Sequence, residues 1–443
     1  MYEKRVEKLF KIAPSFQKVG ISGFHPGLQS MVEFCNLMGN PQNRFETIHI
    51  AGTNGKGSIA HMLSSALAYV EDGEKIGLYT SPHLVDFRER IKIVTRRDDG
   101  TIGYEMIPKE AVLSFLDSYD EFINKNEPSF FEITTAMAFD YFAKQGVKSG
   151  VIETGLGGRF DSTNVVSSKL SVISSIGYDH KYILGESISK IAYEKGGIIK
   201  PERAVITGSL SLEAMAQIEK IAAENSSPLI KSTDPQYIKC AESFELAKMD
   251  LRSPVQKLNL ATVCAVLSEL GERYLSTVLE NKEVLYNAAK NTGLRGRWEL
   301  LSESPVVICD IGHNEQALAS LSSQLEEVAQ GRRIIAIIGM ASDKDIQGVS
   351  SLYPLNAQYI YTQAQGSRAN NAYDLKRIID DSRKSRGASE SSLNSIVTHN
   401  VKEAYKELMK IVIPNDVVFV GGSSFVVAEF IPVFEDNKNV TNG

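Results

Sequence analysis

The sequence predicts an α/β protein of two domains, and three observations carry that prediction. Short β-branched runs alternate with longer amphipathic stretches, the pattern of parallel strands joined by helices. A glycine-rich loop stands between one such strand and one such helix. The length, 443 residues, exceeds the size at which a single hydrophobic core stops growing.

In chain order, the first strands are expected at Phe45–Ile50, Lys75–Tyr79, Lys148–Glu153, Leu170–Ile176 and Ala204–Thr207, with helical patterns at Ile59–Val70 and Ile133–Lys144 between them. Most of these strands run into polar or glycine-rich segments, which is where open α/β sheets place ligands. A Gly- and Arg-rich stretch, NTGLRGRW at 291–298, follows a long helical region and marks the expected boundary. That assigns 1–294 to an N-terminal domain built on a mostly parallel sheet and 295–443 to a smaller C-terminal α/β domain. Its strands are expected at Val306–Asp310, Arg333–Ile338, Gln358–Thr362 and Val417–Val420. The Ser-rich patch at Ser382–Ser395 reads as a solvated loop, and the terminal EDNKNVTNG as a frayed tail.

Composition narrows the function. With 43% hydrophobic and 23% charged residues the chain is an ordinary globular protein. A net charge of −6, from 48 Lys plus Arg against 54 Asp plus Glu, speaks against a nucleic-acid or anionic-membrane binder, so any anion must be held locally. Cys35, Cys240, Cys264 and Cys309 form no CxxC pair and read as reduced thiols of a cytoplasmic protein. No leader or membrane-spanning segment is expected, since the best apolar run, Ile334–Met340, is far short of the roughly 20 residues a span requires.

The strongest local signal is FETIHI, AGTNGKGS and IAHMLSSALAYV in succession: strand, loop, helix. Gly52, Gly55 and Gly57 let the backbone curl with its N–H groups inward. Lys56 then reaches terminal phosphates, and Ser58 opens a helix whose positive end favours an anion. That helix end supplies only about half an elementary charge, so Lys56 and a metal must supply most of the compensation. The spacing departs from the usual phosphate-loop pattern, with Ile50 at its first glycine and Gly57 between Lys56 and Ser58.

GTNGKGS is followed in order by TSPHL (80–84), ETGLGGRFDSTN (153–164), GYDH (177–180), EKGGI (194–198), QKLNLA (256–261), RGRWE (295–299) and CDIGHN (309–314). This series resembles the Mur ligase superfamily and, within it, the folylpolyglutamate synthase and dihydrofolate synthase family, over nearly the whole chain. The resemblance implies a phosphate-loop domain followed by a Rossmann-like C-terminal domain. It also implies ligation of L-glutamate to dihydropteroate or to reduced folates, through an acyl phosphate made from ATP. The implied co-factors are magnesium, as a pair of ions, and potassium; a cytoplasmic monomer of folate and one-carbon metabolism is implied as well.

By the same resemblance, the metal ligands correspond to Ser58, Ser81, Glu153, His180 and Lys195, the last as a carbamate. Lys56, Lys195 and His180 take catalytic roles. Gly55, Lys56, Gly57, Ser58, Asn259, Arg297, Asp310 and His313 match nucleotide contacts. The pterin-bearing substrate falls to Pro26, Gly27, Leu28, Ser129, Phe130, Phe131, Glu132, Phe160, Asp161 and Ser162. Hard oxygen donors suit Mg²⁺, and a flat pterin suits stacking on Phe130 or Phe131, although adjacent helical residues face different ways. Asp161 is the residue most expected to touch the pterin or the incoming group. Without a ligand, Glu153 would pair with Arg159, and Lys195 would be a surface lysine. Val255, Ile311, Glu315 and Gly196 depart from the family pattern.

Two other classes of protein fit parts of this pattern. A peptidoglycan-precursor ligase of the same superfamily carries an extra domain before the loop, for which about fifty residues are too few. A guanine-nucleotide switch would show an NKxD motif, and the nearest strings, 124–127 and 281–284, lack the Asp.

Overall fold

The computed structural model describes residues 27–366 and 368–441, together with residues 2, 5–7 and 9. It divides into two units, the first ending at Leu294 and the second beginning at Arg295.

The first unit is built on an eight-stranded sheet. Its strands are β1 (Glu46–Ala51), β2 (Ile76–Tyr79), β3 (Ile91–Arg96), β4 (Ile102–Met106), β5 (Ser149–Glu153), β6 (Leu170–Ile173), β7 (Val205–Thr207) and β8 (Leu229–Lys231). They lie in the order β4-β3-β2-β5-β1-β6-β7-β8. β3 runs antiparallel to both neighbours, and the other pairs are parallel. The central strands β2, β5 and β6 are buried along their whole length, as in sheets covered on both faces. Successive residues point to opposite cores: Leu78, Val94 and Val151 enter one apolar cluster, and Tyr79, Ile93 and Ile152 another. The first cluster contains helix α1 (Lys56–Val70), through Ile59, Met62, Leu63 and Leu67. The second contains helix α2 (Phe130–Gln145), through Ile133, Met137, Phe139 and Phe142. Three further helices matter below: α3 (Ile188–Gly196), α4 (Gln256–Leu270) and α5 (Ala288–Thr292).

The second unit holds β9 (Glu299–Glu303), β10 (Val306–Asp310), β11 (Ile334–Ile338), β12 (Gln358–Tyr361), β13 (Ile396–Val397) and β14 (Val417–Gly421), in the order β13-β12-β11-β14-β10-β9. Only β9 is antiparallel. The chain passes from β10 to β11 across the place later filled by β14, so the strand order reverses beside the carboxyl end of β10. Open α/β sheets bind ligands at such points.

Several expectations need correction. The hairpin β3–β4 and the strands β8, β9 and β13 were not anticipated. The described part of the tail is helical, in a helix that runs from Ser424 to Thr441. The first four residues of the Ser-rich patch belong to a helix ending at Ser385, and the rest is pinned: Ser395 Oγ donates to Asp380 at 2.6 Å, and the buried Arg383 donates to the Ser392 carbonyl at 2.9 Å. Cys240 and Cys264 are not two free thiols. Their Cα atoms lie 6.6 Å apart on packed helices and their sulfurs form a disulfide, while Cys35 and Cys309 are free and buried. No helix among the described residues is long and apolar enough to cross a membrane.

Candidate active site

The loop between β1 and α1 is held by the chain leaving β6. Thr53 N–H donates to the Ser175 carbonyl at 2.8 Å and Asn54 N–H to Ser175 Oγ at 2.9 Å. The hydroxyls of Ser174 and Ser175 return bonds to the Asn54 carbonyl at 2.6 and 3.0 Å. Thr53 Oγ1 both donates to and accepts from Gly177. Gly55 has φ +87°, and a Cβ there would stand 2.6 Å from Asn259 Oδ1, so backbone conformation and space both demand glycine. The two Ser residues were not singled out from sequence; polar residues closing a buried strand beside a glycine loop were the available signal.

Two ammonium groups converge on one carbonyl. Lys56 Nζ donates to Gly52 O at 2.9 Å, and Lys195 Nζ, at the end of α3, donates to the same oxygen at 2.8 Å. Lys195 is therefore buried rather than on the surface. Burial, reinforced by the Lys56 charge, pushes its amine down to about 7. An amine that is neutral near pH 7 is a competent nucleophile, which is the condition for carbamate formation.

Glu153, the last residue of β5, accepts from Ser81 N–H at 3.1 Å, and its carboxylate is 3.6 Å from where a Cβ on Gly57 would be. It thus faces the first turn of α1, where Ser58 is buried and receives Gln256 Nε2 at 3.4 Å. The pairing with Arg159 does not occur: that guanidinium lies 3.9 Å from the Tyr193 ring centroid and donates to the Tyr193 carbonyl. Carboxylate and hydroxyl oxygens of this kind fit a hard divalent cation, whereas Lys195 fits as a ligand only as a carbamate. Among the described residues no three His, Cys, Asp or Glu side chains gather as a ready metal cluster. His180 caps a short helix at φ +49°, with Nε2 3.7 Å from Asp179 Oδ2. On α4, Asn259 Nδ2 donates to Gln256 Oε1 at 2.8 Å, making Gln256 a second residue of the loop's surroundings.

The substrate residues have more structural occupation than expected. Ser129 and Glu132 form a reciprocal capping box on α2. Phe130 is buried under the Arg90 guanidinium, 5.2 Å from its ring centroid. Phe131 is less buried, packing 5.9 Å from the Tyr79 ring and edge-on to Gly155, which makes it the better stacking candidate of the pair. Asp161, the residue most expected to touch the pterin or the incoming group, is held by its own loop. It is 4% exposed and both oxygens are engaged, accepting from Gly155 and Leu156 N–H at 2.8 Å and from Thr163 N–H at 3.0 Å. It braces the loop from which Phe160, 46% exposed, projects; Ser162 opens the following turn. Gly27 and Leu28 precede a helix beginning at Gln29, and Pro26 lies outside the described residues.

In the second unit Asp310 is buried at the end of β10, accepting from Trp298 and Gly312 N–H at 2.7 Å each, with Arg297 contributing a nearby positive charge. His313 Nδ1 donates to the Ile311 carbonyl at 3.0 Å. The ribose role expected of Asp310 must compete with two backbone donors it already serves.

This fold, a phosphate-loop sheet followed by a second α/β unit, is that of an ATP-dependent ligase. Residues 296–424 match the family model described as Mur ligase, glutamate ligase domain. The chain is 32% identical over 385 residues to the dihydrofolate synthase/folylpolyglutamate synthase of Bacillus subtilis, covering 81% of this chain and 87% of that one. It is 30% identical to the folylpolyglutamate synthase of Lacticaseibacillus casei, over 75% and 78% of the two chains. Among solved structures it resembles the folylpolyglutamate synthase of Thermotoga maritima, at 28% identity, TM-score 0.74 and coverage of 98% and 97%. Escherichia coli FolC in complex with DHPP and ADP shares the fold at TM-score 0.77 and 24% identity, with 99% and 98% covered. The chain belongs to the dihydrofolate synthase/folylpolyglutamate synthase family.

Proposed function

We propose that this ligase adds L-glutamate both to dihydropteroate and to reduced folates, and that residues 1–294 form its ATP- and folate-binding domain. The observation that carries the reading is the convergence of Lys56 and the buried Lys195 amine on the Gly52 carbonyl, at the foot of the phosphate loop. ATP and a carboxylate repel one another, and a site that joins them needs concentrated cations and little water. The acceptor carboxylate attacks the γ-phosphorus, giving an acyl phosphate and ADP. The glutamate amine then attacks the acyl carbon, phosphate departs with the bonding electrons, and the amine loses a proton. Lys56 balances charge on the transferred group. Gly55, Gly57 and Ser58 present the helix end, with Asn259 beside them. Arg297, Asp310 and His313 are assigned to nucleotide. Phe131 and Phe160 are the stacking candidates for the pterin, and Gly27, Leu28 and Ser162 are assigned to the same substrate. Phe130, Ser129, Glu132 and Asp161 position those groups.

Ser58, Ser81, Glu153, His180 and carbamylated Lys195 are the proposed ligands of a pair of magnesium ions, whose part is to neutralise phosphate charge; potassium is proposed as a further ion. We take the protein as a cytoplasmic monomer. ADP production with ATP and glutamate, measured with dihydropteroate and with tetrahydrofolate side by side, tests the dual activity. Silence with dihydropteroate removes the synthase half, and turnover without any acceptor favours a nucleotide switch instead. Lys56→Ala is expected to abolish ADP production while the far-ultraviolet circular dichroism and Tm stay near those of the parent; retained ligation removes the phosphate-loop assignment.

A further inference from the structure

The chain leaves the first unit through the last turn of α5, and that turn is gripped by two buried residues that the proposed chemistry does not use. Lys92, in β3, is 2% exposed; its Nζ donates to the Thr292 carbonyl at 2.9 Å and the Gly293 carbonyl at 2.8 Å, the negative end of the short helix. The Tyr104 ring centroid lies 5.2 Å from the same ammonium. Gly293 has φ +65°, and a Cβ there would meet the Tyr104 ring at 2.3 Å, so the chain is pressed onto that ring. From the other side, His61 Nδ1 lies 2.7 Å from Thr292 Oγ1. That hydroxyl gives its single proton to the Ala288 carbonyl, so it accepts from His61, whose Nδ1 must carry the hydrogen. One residue back, Asn291 Nδ2 donates to Ser65 Oγ at 2.9 Å, and Ser65 Oγ to the Val284 carbonyl at 2.6 Å. His61 and Ser65 belong to α1, the helix that begins at Lys56.

We propose that Lys92 is a positioning residue of the ligase: with His61 it locks the end of α5 to the phosphate-loop helix and to β3, and so fixes the direction in which the chain passes from Leu294 into the second unit. Burying an ammonium is costly until its partners compensate, and a methionine would fill the same space. Two carbonyls at a helix end need no lysine to be satisfied, because glycine-ended helices satisfy theirs through the backbone. What the lysine adds is a fixed bond between the sheet and the final residues before the crossing, and α1 joins the same turn to the phosphate loop.

The test uses the full chain carrying Lys92→Met, with Thr292→Val as a milder second variant that severs the His61 link. Spin labels at Leu212→Cys and Tyr373→Cys, exposed positions in the two units, report the distance between units. In Lys92→Met that distance distribution broadens and kcat/KM for glutamate addition falls about tenfold or more, as small misplacements of reacting groups do, while the Kd of a non-hydrolysable ATP analogue rises by much less, since most of its assigned contacts, the phosphate loop among them, belong to the first unit. Thr292→Val moves both readouts the same way by less. Unchanged distances and kinetics, or an ATP-analogue Kd that rises as far as kcat/KM falls, overturn the proposal. The kinetic arm rests on the ligase reading above: a parent protein silent with every acceptor sinks that reading, and the distance and ATP-analogue measurements then decide this one.

Discussion

Asp161 shows how a single carboxylate organises the loop after β5. Its oxygens accept from three backbone N–H groups, and a short hydroxyl bond from Thr163 joins it to His49, whose Nε2 is 2.8 Å from Thr163 Oγ1. Burial raises the Asp161 carboxyl from its ordinary value while these bonds pull the other way. Asp161→Asn would turn an amide NH₂ against N–H donors and leave at least one of them buried without an acceptor, a loss of about 1–3 kcal/mol. The expected outcome is a lower urea midpoint together with a raised KM for the pterin substrate, since Phe160 rides on the same loop. A variant with parental stability and parental KM would mean that the loop holds its shape without the carboxylate. Glu153 is placed differently: it accepts from Ser81 N–H, and its carboxylate faces the first turn of α1.

At the scale of elements, the phosphate loop depends on three neighbours: the β6 exit, α3 and α4. Gly55→Ala adds a Cβ 2.6 Å from Asn259 Oδ1 at a residue with φ +87°, so the loop backbone is strained and the Asn259 side chain must shift. Loss of ATP-analogue affinity by about tenfold or more in isothermal titration, with little change in Tm, is the expected result. Full affinity would show that the loop tolerates the displaced conformation. Much of this element was legible in the sequence, because a buried parallel strand, a glycine loop and an apolar helix each leave a local pattern. The hairpin β3–β4 was not: Arg90 and Lys92 interrupt its apolar run, and their burial is decided by Phe130, Tyr104 and the carbonyls of α5, residues remote in sequence. The DDG turn at 98–100 was the only local signal. Likewise Lys195 reads as a helix-surface lysine until α3 is docked, and Asp161 as a ligand contact until the loop folds back on it.

For the molecule as a whole, a net charge of −6 coexists with buried cations, and those cations give stability a distinctive pH dependence. Burial pushes both Lys92 and Lys200 from 10.5 down to about 8. Between about 8 and 10.5 the unfolded chain holds protons that the native chain has released, so these groups make stability rise with pH across that window; below about 8 their desolvation cost is present in full. Tyr79, pushed up to about 12 by burial, acts in the opposite sense above 10, which sets the upper end of a clean measurement. On the acid side, burial pushes His49 down to about 3, so its contribution is intact above 6.5 and is lost as pH falls from there toward 3. Comparing Tm for the parent and Lys92→Met from pH 7.5 to 9.5 isolates one of these groups from every other titration. The difference between variant and parent should shift against the variant as pH rises, because the parent alone gains from the deprotonation of Lys92. A constant difference across the range would mean that Lys92 keeps the same proton in the folded and unfolded chain, and that its two carbonyl partners and Tyr104 fully compensate its burial.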